Sequence, residues 1–269
     1  MNKKQSFKLK LCASPHIVWS AIFIVVPLIM VAYYSFTDVN GDFTFENIYR
    51  LSDYTTTFLR SLWYGIIATL ICLVIAYPIA YIISQSKLKA QTTMIMLVMI
   101  PMWMNFLLRI YAWITILQKN GPVDMALSFL GIHGTYIGNT AAVVLGMVYE
   151  YLPFMMLPIY TVMSKIDGSL IEAAQDLGSN NGAVFRKVIF PLSMPGVISG
   201  ITLVFVPSAS TFLVSQYLGG TDDIMIGDII DKIFWTDQNT GSAISLILMI
   251  FIFVFLVIMN FFGDEEAIA

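Results

Sequence analysis

The sequence of 269 residues has few charged side chains, only two cysteines and only two histidines. Charged residues make up 12% of it, about half of the share in an ordinary soluble domain, whereas hydrophobic residues make up 58%. A soluble globule of this size cannot bury so much apolar surface, so lipid must cover part of the chain. Disorder is excluded because disordered chains are polar and highly charged. The net charge of -3 and the lack of a basic stripe argue against nucleic-acid binding.

Several patterns of catalytic and metal-binding proteins are also missing. The sequence has no phosphate-binding GxxxxGK[ST] loop, no HExxH motif and no GxSxG motif. His16 and His133 fall on opposite sides of the predicted membrane, which disfavours a zinc site or a triad that uses histidine. Cys12 and Cys72 form neither a metal pattern nor a disulfide framework. We therefore expect a chain that performs no covalent chemistry and binds no cofactor of its own.

Long apolar runs determine the predicted architecture. A helix needs about 20 apolar residues to cross the hydrocarbon core of a bilayer. Six runs are long enough: Pro15–Phe36, Leu62–Ile83, Thr93–Leu117, Thr140–Met163, Met194–Tyr217 and Ser242–Phe262. The sequence predicts an all-α, polytopic membrane protein with six transmembrane helices, which form one transmembrane domain over residues 1–269.

Basic residues are distributed unevenly between the two sets of predicted loops. Nine lysines and arginines lie in the amino-terminal tail, the loop between spans two and three, and the loop between spans four and five. Only four lie in the opposite loops. Short loops rich in lysine and arginine stay on the cytoplasmic side. We therefore expect both termini to be cytoplasmic.

The third outer loop contains a helical pattern. Five apolar residues recur at positions i, i+3, i+4, i+7 and i+8, which is one face of a helix: Ile226, Ile229, Ile230, Ile233 and Phe234. We expect a short amphipathic helix on the outer surface or dipping partly inward, and packing against neighbouring spans is the common reason for such a helix. Asp228 and Asp231 fall largely off the apolar face and belong to the acidic outer loops. These loops either form a solvated surface or create a negative potential that concentrates cations near an entrance.

The loop over residues 165–191, between spans four and five, has the most specific pattern. Asp167 or Ser169 can cap a helix at its start, and Gly178 can end it in a left-handed conformation. An apolar ridge at helical spacing lies between them: Leu170, Ala173, Ala174 and Leu177. A second short helix, about residues 183–188, is expected ahead of Pro191. A small apolar ridge of this kind fits a groove on another protein.

This loop resembles the EAA loop of binding-protein-dependent ABC importer permeases. That pattern is Glu-Ala-Ala, three residues, Gly, nine residues and then Ile-x-Leu-Pro. The spacing from Glu172 to Pro191 matches throughout, with Val188 and Phe190 in place of Ile and Leu. The resemblance implies that this loop contacts a cytoplasmic ATPase through the following residues: Glu172, Ala173, Ala174, Leu177, Gly178 and Pro191.

Four further segments resemble the spermidine/putrescine permeases of that family: Pro101–Trp113, Tyr151–Pro158, Pro191–Gly196 and Leu218–Gly220. The resemblance implies a permease subunit of an ATP-driven importer in the bacterial cytoplasmic (inner) membrane. Such a subunit would move polyamines into the cell by alternating access. The implied partners are a second permease subunit, two cytoplasmic ATPase subunits that bind ATP and magnesium, and an extracellular or periplasmic binding protein.

Arg109 and Glu150 are the only acidic or basic residues deep within the predicted spans. A charge at the bilayer centre costs roughly 2.5–3.5 kcal/mol, so such residues usually face a bundle interior or a wet cavity. Two interpretations stay open, a structural ion pair and a carboxylate that meets a passing ammonium group. Aromatic faces suit the same cation, although interfacial anchoring and core packing are their commoner roles in a span. The predicted substrate pathway comprises Trp103, Arg109, Tyr111, Trp113, Tyr149, Glu150, Asp228 and Asp231.

Three other functions deserve weight at this point. The first is an importer of the same class for another small solute, such as an amino-acid derivative or an anion, although acidic outer loops disfavour an anion. The second is a channel that works without ATP, which the EAA-like loop argues against. The third is an intramembrane enzyme, for which the spans offer neither a nucleophile with its base nor a metal constellation.

Overall fold

The computed structural model describes residues 15–129, 131 and 134–266, with side chains up to residue 262. The basic amino-terminal tail, Cys12 and His133 lie outside the described residues. The described part is helical apart from loops and one isolated β-bridge. The fold class is therefore all-α, as the apolar runs predict.

The helices are numbered α1 to α12 along the described residues. In chain order they are Pro15–Ser35 (α1), Glu46–Tyr49 (α2), Thr55–Ser84 (α3), Leu88–Met99 (α4), Phe106–Leu117 (α5), Pro122–Ser128 (α6), Thr140–Met163 (α7), Gly168–Asp176 (α8), Asn181–Ser210 (α9), Leu213–Leu218 (α10), Ile226–Phe234 (α11) and Gln238–Glu266 (α12). Five helical runs in this part of the chain are long and apolar enough to cross a membrane, and a bent pair supplies the sixth candidate span. The bent pair combines α4 with α5 and α6.

The third predicted span, Thr93–Leu117, is bent rather than straight. The helical segments Leu88–Trp103 and Phe106–Ser128 meet at 90° across a short break. A 3-10 turn over Ile100–Trp103, with Pro101 in it, replaces the α-helix, and the backbone becomes extended at Met104, where ψ is 150°. Asn105 then caps α5, because its side-chain oxygen accepts two backbone N–H groups from the first turn.

The fifth predicted span, Met194–Tyr217, begins much earlier in the structure. The short helix expected ahead of Pro191 is fused with the span into α9, which ends at Ser210. A π turn over Phe185–Ile189 accompanies this fusion, and the N–H of Phe190 bonds to a carbonyl five residues earlier. Such a turn absorbs an extra residue without breaking the helix. The predicted helix ahead of Pro191 is therefore present, but it continues into the span instead of ending before it, and α10 follows beyond Ser210.

The described residues cluster into two compact units. The first comprises the chain up to Thr55 together with Ile229–Phe251. In this unit the side chain of Asn47 in α2 donates hydrogen bonds to the carbonyl oxygens of Ser35 (3.3 Å) and Thr37 (2.8 Å). These bonds connect the end of α1 to the loop and short helix that follow it.

The second unit comprises Thr56–Asp228 and the chain from Ile252 onward. In this unit α7 packs against α9. Gly196 faces the α7 backbone, where a Cβ atom would lie 2.9 Å from the carbonyl oxygen of Pro158. Small residues allow such close approach of helices in membranes. The fully buried core around this contact includes Cys72, Met147, Met155, Ile159 and Val204.

Candidate substrate pathway and coupling helix

The two ionisable residues of the predicted spans form a buried ion pair. Arg109 lies near the start of α5, and its Nη2 atom is 2.8 Å from Oε2 of Glu150 in α7. Arg109 is 8% exposed and Glu150 is 3% exposed. The ring of Phe106 lies 5.7 Å from the guanidinium carbon, which is a cation–π distance. The structure therefore contains the ion pair that was one of the two interpretations. The other interpretation, a carboxylate that binds a passing ammonium group, stays a prediction.

The ion pair leaves hydrogen-bonding capacity unused. Among the described residues, neither Glu150 Oε1 nor Arg109 Nε has a hydrogen-bond partner, and both atoms are buried. Buried polar atoms in native proteins are nearly always hydrogen-bonded. A guanidinium and a carboxylate frequently share two parallel bonds, whereas this pair shares one. One oxygen of the carboxylate therefore has unused acceptor capacity.

Aromatic residues of the predicted pathway connect α5 to its neighbours. The rings of Trp113 and Tyr149 lie 5.4 Å apart in an edge-to-face arrangement between α5 and α7. Tyr111 makes the same kind of contact, at 5.5 Å, with Tyr217 in α10. The sequence analysis did not single out Tyr217, because its partner lies more than a hundred residues earlier. Trp103 is 84% exposed and precedes the bend, so it does not join these contacts.

The predicted amphipathic helix in the third outer loop is confirmed as α11. Asp228 is buried at its start, and its Oδ2 atom accepts hydrogen bonds from Ser215 Oγ (2.6 Å) and the N–H of Met225 (2.9 Å). These bonds connect α11 to α10. Asp231 lies nearly one turn further on and is exposed. The pathway role of both aspartates stays a prediction, and only Asp231 presents its carboxylate to solvent.

Asp223 is a buried carboxylate that the sequence analysis counted only among the acidic loop residues. Its Oδ1 atom accepts hydrogen bonds from the hydroxyls of Thr140 (2.6 Å) and Tyr64 (2.9 Å), which belong to α7 and α3. Burial opposes ionisation, but these bonds and one from the N–H of Gly220 outweigh it and lower the pKa of Asp223. The carboxylate therefore connects the loop to the first residue of α7 and to the third turn of α3.

The predicted helix that contains the EAA-like motif is confirmed as α8. Asp167 caps α8, since its Oδ1 atom accepts the N–H of Ser169 at 3.0 Å, and this bond lowers the pKa of the carboxyl. Gly178 has a φ of +84°, the left-handed conformation expected of a helix-ending glycine. The N–H of Ser179 then bonds to the carbonyl oxygen of Ala174 at 3.0 Å. Local sequence thus determines both ends of this helix.

An apolar face that runs along α8 to the residue after its end is exposed to solvent. Leu177 is 88% exposed and Leu170 is 48% exposed, and Ala173 between them is exposed as well. Ala174 is half-buried, so it belongs less to the open face than the sequence predicts. Glu172, Gly178 and Pro191 of the predicted coupling set are exposed. We define the coupling face as Leu170, Ala173 and Leu177.

The fold and these sites define a class of protein. Apolar helices long enough to span a membrane carry a buried, half-satisfied ion pair, and a short capped helix presents an open apolar face. This combination is typical of a transporter permease that docks a separate partner. Residues 11–264 match the family of binding-protein-dependent transport system inner membrane components, and the chain belongs to that family.

Curated relatives match most of the chain. The spermidine/putrescine transport system permease protein PotB of Escherichia coli is 37% identical over 245 residues, which cover 86% of this chain and 89% of PotB. PotB of Haemophilus influenzae is 36% identical, with coverage of 85% and 84%. The inner membrane ABC transporter permease protein YdcU of Escherichia coli is 27% identical, with coverage of 91% and 85%.

Solved structures share the fold. A bacterial ABC transporter involved in the import of the acidic polysaccharide alginate matches with a TM-score of 0.77 and 16% identity, over 97% of this chain and 96% of that chain. The MetNI methionine ABC transporter matches with a TM-score of 0.57 and 16% identity, over 78% and 93%. The predicted all-α permease fold is confirmed. The chain is a multi-pass inner-membrane transporter subunit and not an enzyme, and ATP hydrolysis belongs to a separate subunit.

Proposed function

We propose that this chain is the permease subunit of an importer that moves polyamines, spermidine or putrescine, into the cell. The observation that carries the proposal is the 37% identity to a spermidine/putrescine permease over 86% of the chain. Alternating access, driven by ATP hydrolysis in the partner ATPase, moves the cargo across the membrane.

The chemistry of the buried ion pair supports a cationic cargo. A polyamine is a flexible chain of ammonium groups with methylene spacers, so it needs carboxylate oxygens and aromatic faces along its path. Glu150 offers a buried acceptor oxygen, and Trp113 packs against Tyr149 at the next position in α7. Selection by affinity belongs mainly to the binding protein, since a transport path must also release what it binds.

The partners follow from the family and from the coupling face. The importer contains a second permease subunit, two cytoplasmic ATPase subunits and a binding protein outside the membrane. The coupling face enters a groove on the ATPase, and the motif residues Glu172, Gly178 and Pro191 belong to the same loop, so α8 and both termini are cytoplasmic. ATP and magnesium bind to the ATPase, and this chain supplies none of their ligands.

Breaks within the membrane helices suit alternating access. Proline residues interrupt the hydrogen-bonding of α7 at Pro153 and Pro158, and of α9 at Pro195 and Pro207. The 90° bend ahead of α5 adds a further break. ATP-driven closure of the ATPase dimer turns the coupling helices and opens the path outward, and hydrolysis returns the path inward.

ATPase stimulation tests this proposal. The chain is reconstituted in lipid with its partner permease and ATPase, and the binding protein is added with and without spermidine. Stimulation by the spermidine-loaded binding protein is the expected result. An assembled ATPase that spermidine leaves unstimulated contradicts a polyamine cargo, and a screen of amino-acid derivatives and other small solutes then identifies the alternative.

A further inference from the structure

The ion pair between α5 and α7 is incomplete on both sides. Arg109 contributes one guanidinium N–H group to one carboxylate oxygen of Glu150, at 2.8 Å. The second carboxylate oxygen and the guanidinium Nε atom are buried and find no partner within the described residues. An unpaired buried polar atom costs about 1–3 kcal/mol, and more when it is charged. A structural ion pair would gain from the second bond that this geometry omits.

The guanidinium has an alternative contact that does not involve the carboxylate. The Phe106 ring, one turn earlier in α5, lies 5.7 Å from the guanidinium carbon. A cation that faces an aromatic ring in a desolvated site gains about 2 kcal/mol or more. Arg109 therefore keeps a favourable contact when it leaves Glu150.

The helical backbone is interrupted at both ends of α5. A 90° bend precedes it, and Gln118–Gly121 separates it from α6. At Gly121 a Cβ atom would lie 2.7 Å from the carbonyl oxygen of Thr115, so this turn tolerates only glycine without rearrangement. Helix α5 is therefore a separate segment of twelve residues, which the ion pair and the ring contact of Trp113 with Tyr149 join to α7.

We propose that Arg109 is a resident counter-cation, which occupies Glu150 when cargo is absent and which a cargo ammonium group displaces. An incoming ammonium group replaces the guanidinium N–H group at Oε2, and as the guanidinium leaves, the ammonium group also donates to Oε1, which has no partner among the described residues. Glu150 thus stays neutralised in both states, and the displacement breaks the ion pair, which is one of the contacts that join α5 to α7. The inference rests on the proposed polyamine transport and adds that Arg109 competes with the cargo for Glu150.

A purely structural pair makes a different prediction from a competitor. When the pair only stabilises the fold, removal of either partner breaks the same contact and affects spermidine binding in the same direction. When Arg109 competes with cargo, its removal strengthens spermidine binding, whereas removal of Glu150 weakens it. The sign of the two effects therefore separates the roles.

The test measures binding of radiolabelled spermidine to the assembled permease–ATPase complex in nanodiscs without the binding protein. The variant Glu150→Gln is expected to raise the Kd about tenfold or more, because a charge-assisted hydrogen bond is lost. Arg109→Gln is expected to lower the Kd about tenfold, since the competing cation is gone. Arg109→Lys, whose shorter side chain makes a weaker contact with Glu150, is expected to lower the Kd less. This variant provides the test if the complex with Arg109→Gln fails to assemble. Arg50→Gln, which removes a cation from an exposed pair with Glu46, is the charge control and leaves the Kd unchanged.

Two results would overturn the inference. One is a higher Kd in the Arg109 variants as well as in Glu150→Gln, which identifies the pair as structural support. The other is a wild-type complex that transports spermidine but shows no saturable binding in nanodiscs. Failure of the wild-type complex to transport spermidine would instead contradict the proposed function, so the two failures are distinguishable.

Discussion

The coupling face makes a prediction at a single residue, Leu177. Its side chain is 88% exposed at the end of α8, and only its backbone contributes to the helix, through a hydrogen bond to the carbonyl oxygen of Ala173. Leu177→Gln replaces the branched apolar end of the side chain with a polar amide. We expect the variant chain to fold and insert normally and to bind the ATPase more weakly than the wild type.

The magnitudes follow from exposure. A substitution at an exposed position without special contacts changes the free energy of unfolding by about 0.5 kcal/mol or less. Full burial of a leucine side chain in a partner's groove contributes about 1.5–3 kcal/mol. Loss of that burial weakens ATPase docking by a factor of about ten to a hundred, because 1.4 kcal/mol corresponds to about tenfold.

The assay compares ATPase binding to nanodiscs that contain the wild-type or variant permease pair. Leu88→Gln is the matched control, since Leu88 is 77% exposed at the start of α4 and lies outside the coupling face. We expect weak docking and uncoupled transport for Leu177→Gln and wild-type behaviour for Leu88→Gln. Equal ATPase affinity for Leu177→Gln and the wild type would refute the assignment of this face.

Three further predictions concern packing, charge and backbone conformation. Gly196→Ala places a Cβ atom 2.9 Å from the carbonyl oxygen of Pro158, so the unfolding temperature of the purified complex should fall with a loss of about 1–3 kcal/mol. Asp223→Asn should lower the free energy of unfolding at neutral pH, because hydrogen bonds stabilise the ionised native carboxyl and lower its pKa. The difference between wild type and variant should shrink as the pH falls below 3.8, the ordinary pKa of an aspartate, and an undiminished difference would contradict the prediction. Gly178→Ala forces a Cβ atom into the left-handed region at φ +84°, so ATPase affinity should fall with a cost of about 1–2 kcal/mol, whereas Gly182→Ala, at a negative φ, should retain affinity.

Features that depend on local sequence were predictable. The apolar runs identified the membrane helices because crossing a bilayer requires length and hydrophobicity, which are properties of a segment by itself. The ends of α8 were predictable for the same reason, since Asp167 and Gly178 act on residues within a few positions of themselves. The five apolar residues of α11 likewise predicted their own helix.

Features that depend on contacts across the chain were not predictable. Asp223 receives its hydrogen bonds from Tyr64 and Thr140, which are far away in sequence. The bend ahead of α5 carries no hydropathy signal, because Asn105 is the only polar residue between Met94 and Leu108. The Arg109–Glu150 contact was one of two interpretations, since a sequence shows which charges enter a membrane but not how they face each other.

The most direct test of the account is uptake of radiolabelled spermidine into proteoliposomes that contain this chain, its partner permease and the ATPase, with the binding protein added outside. The account predicts accumulation that requires ATP, the loaded binding protein and an intact coupling face, so Leu177→Gln should abolish most of it. Uptake that persists without ATP would contradict the importer mechanism. An assembled, ATP-hydrolysing complex that accumulates no spermidine would contradict the cargo.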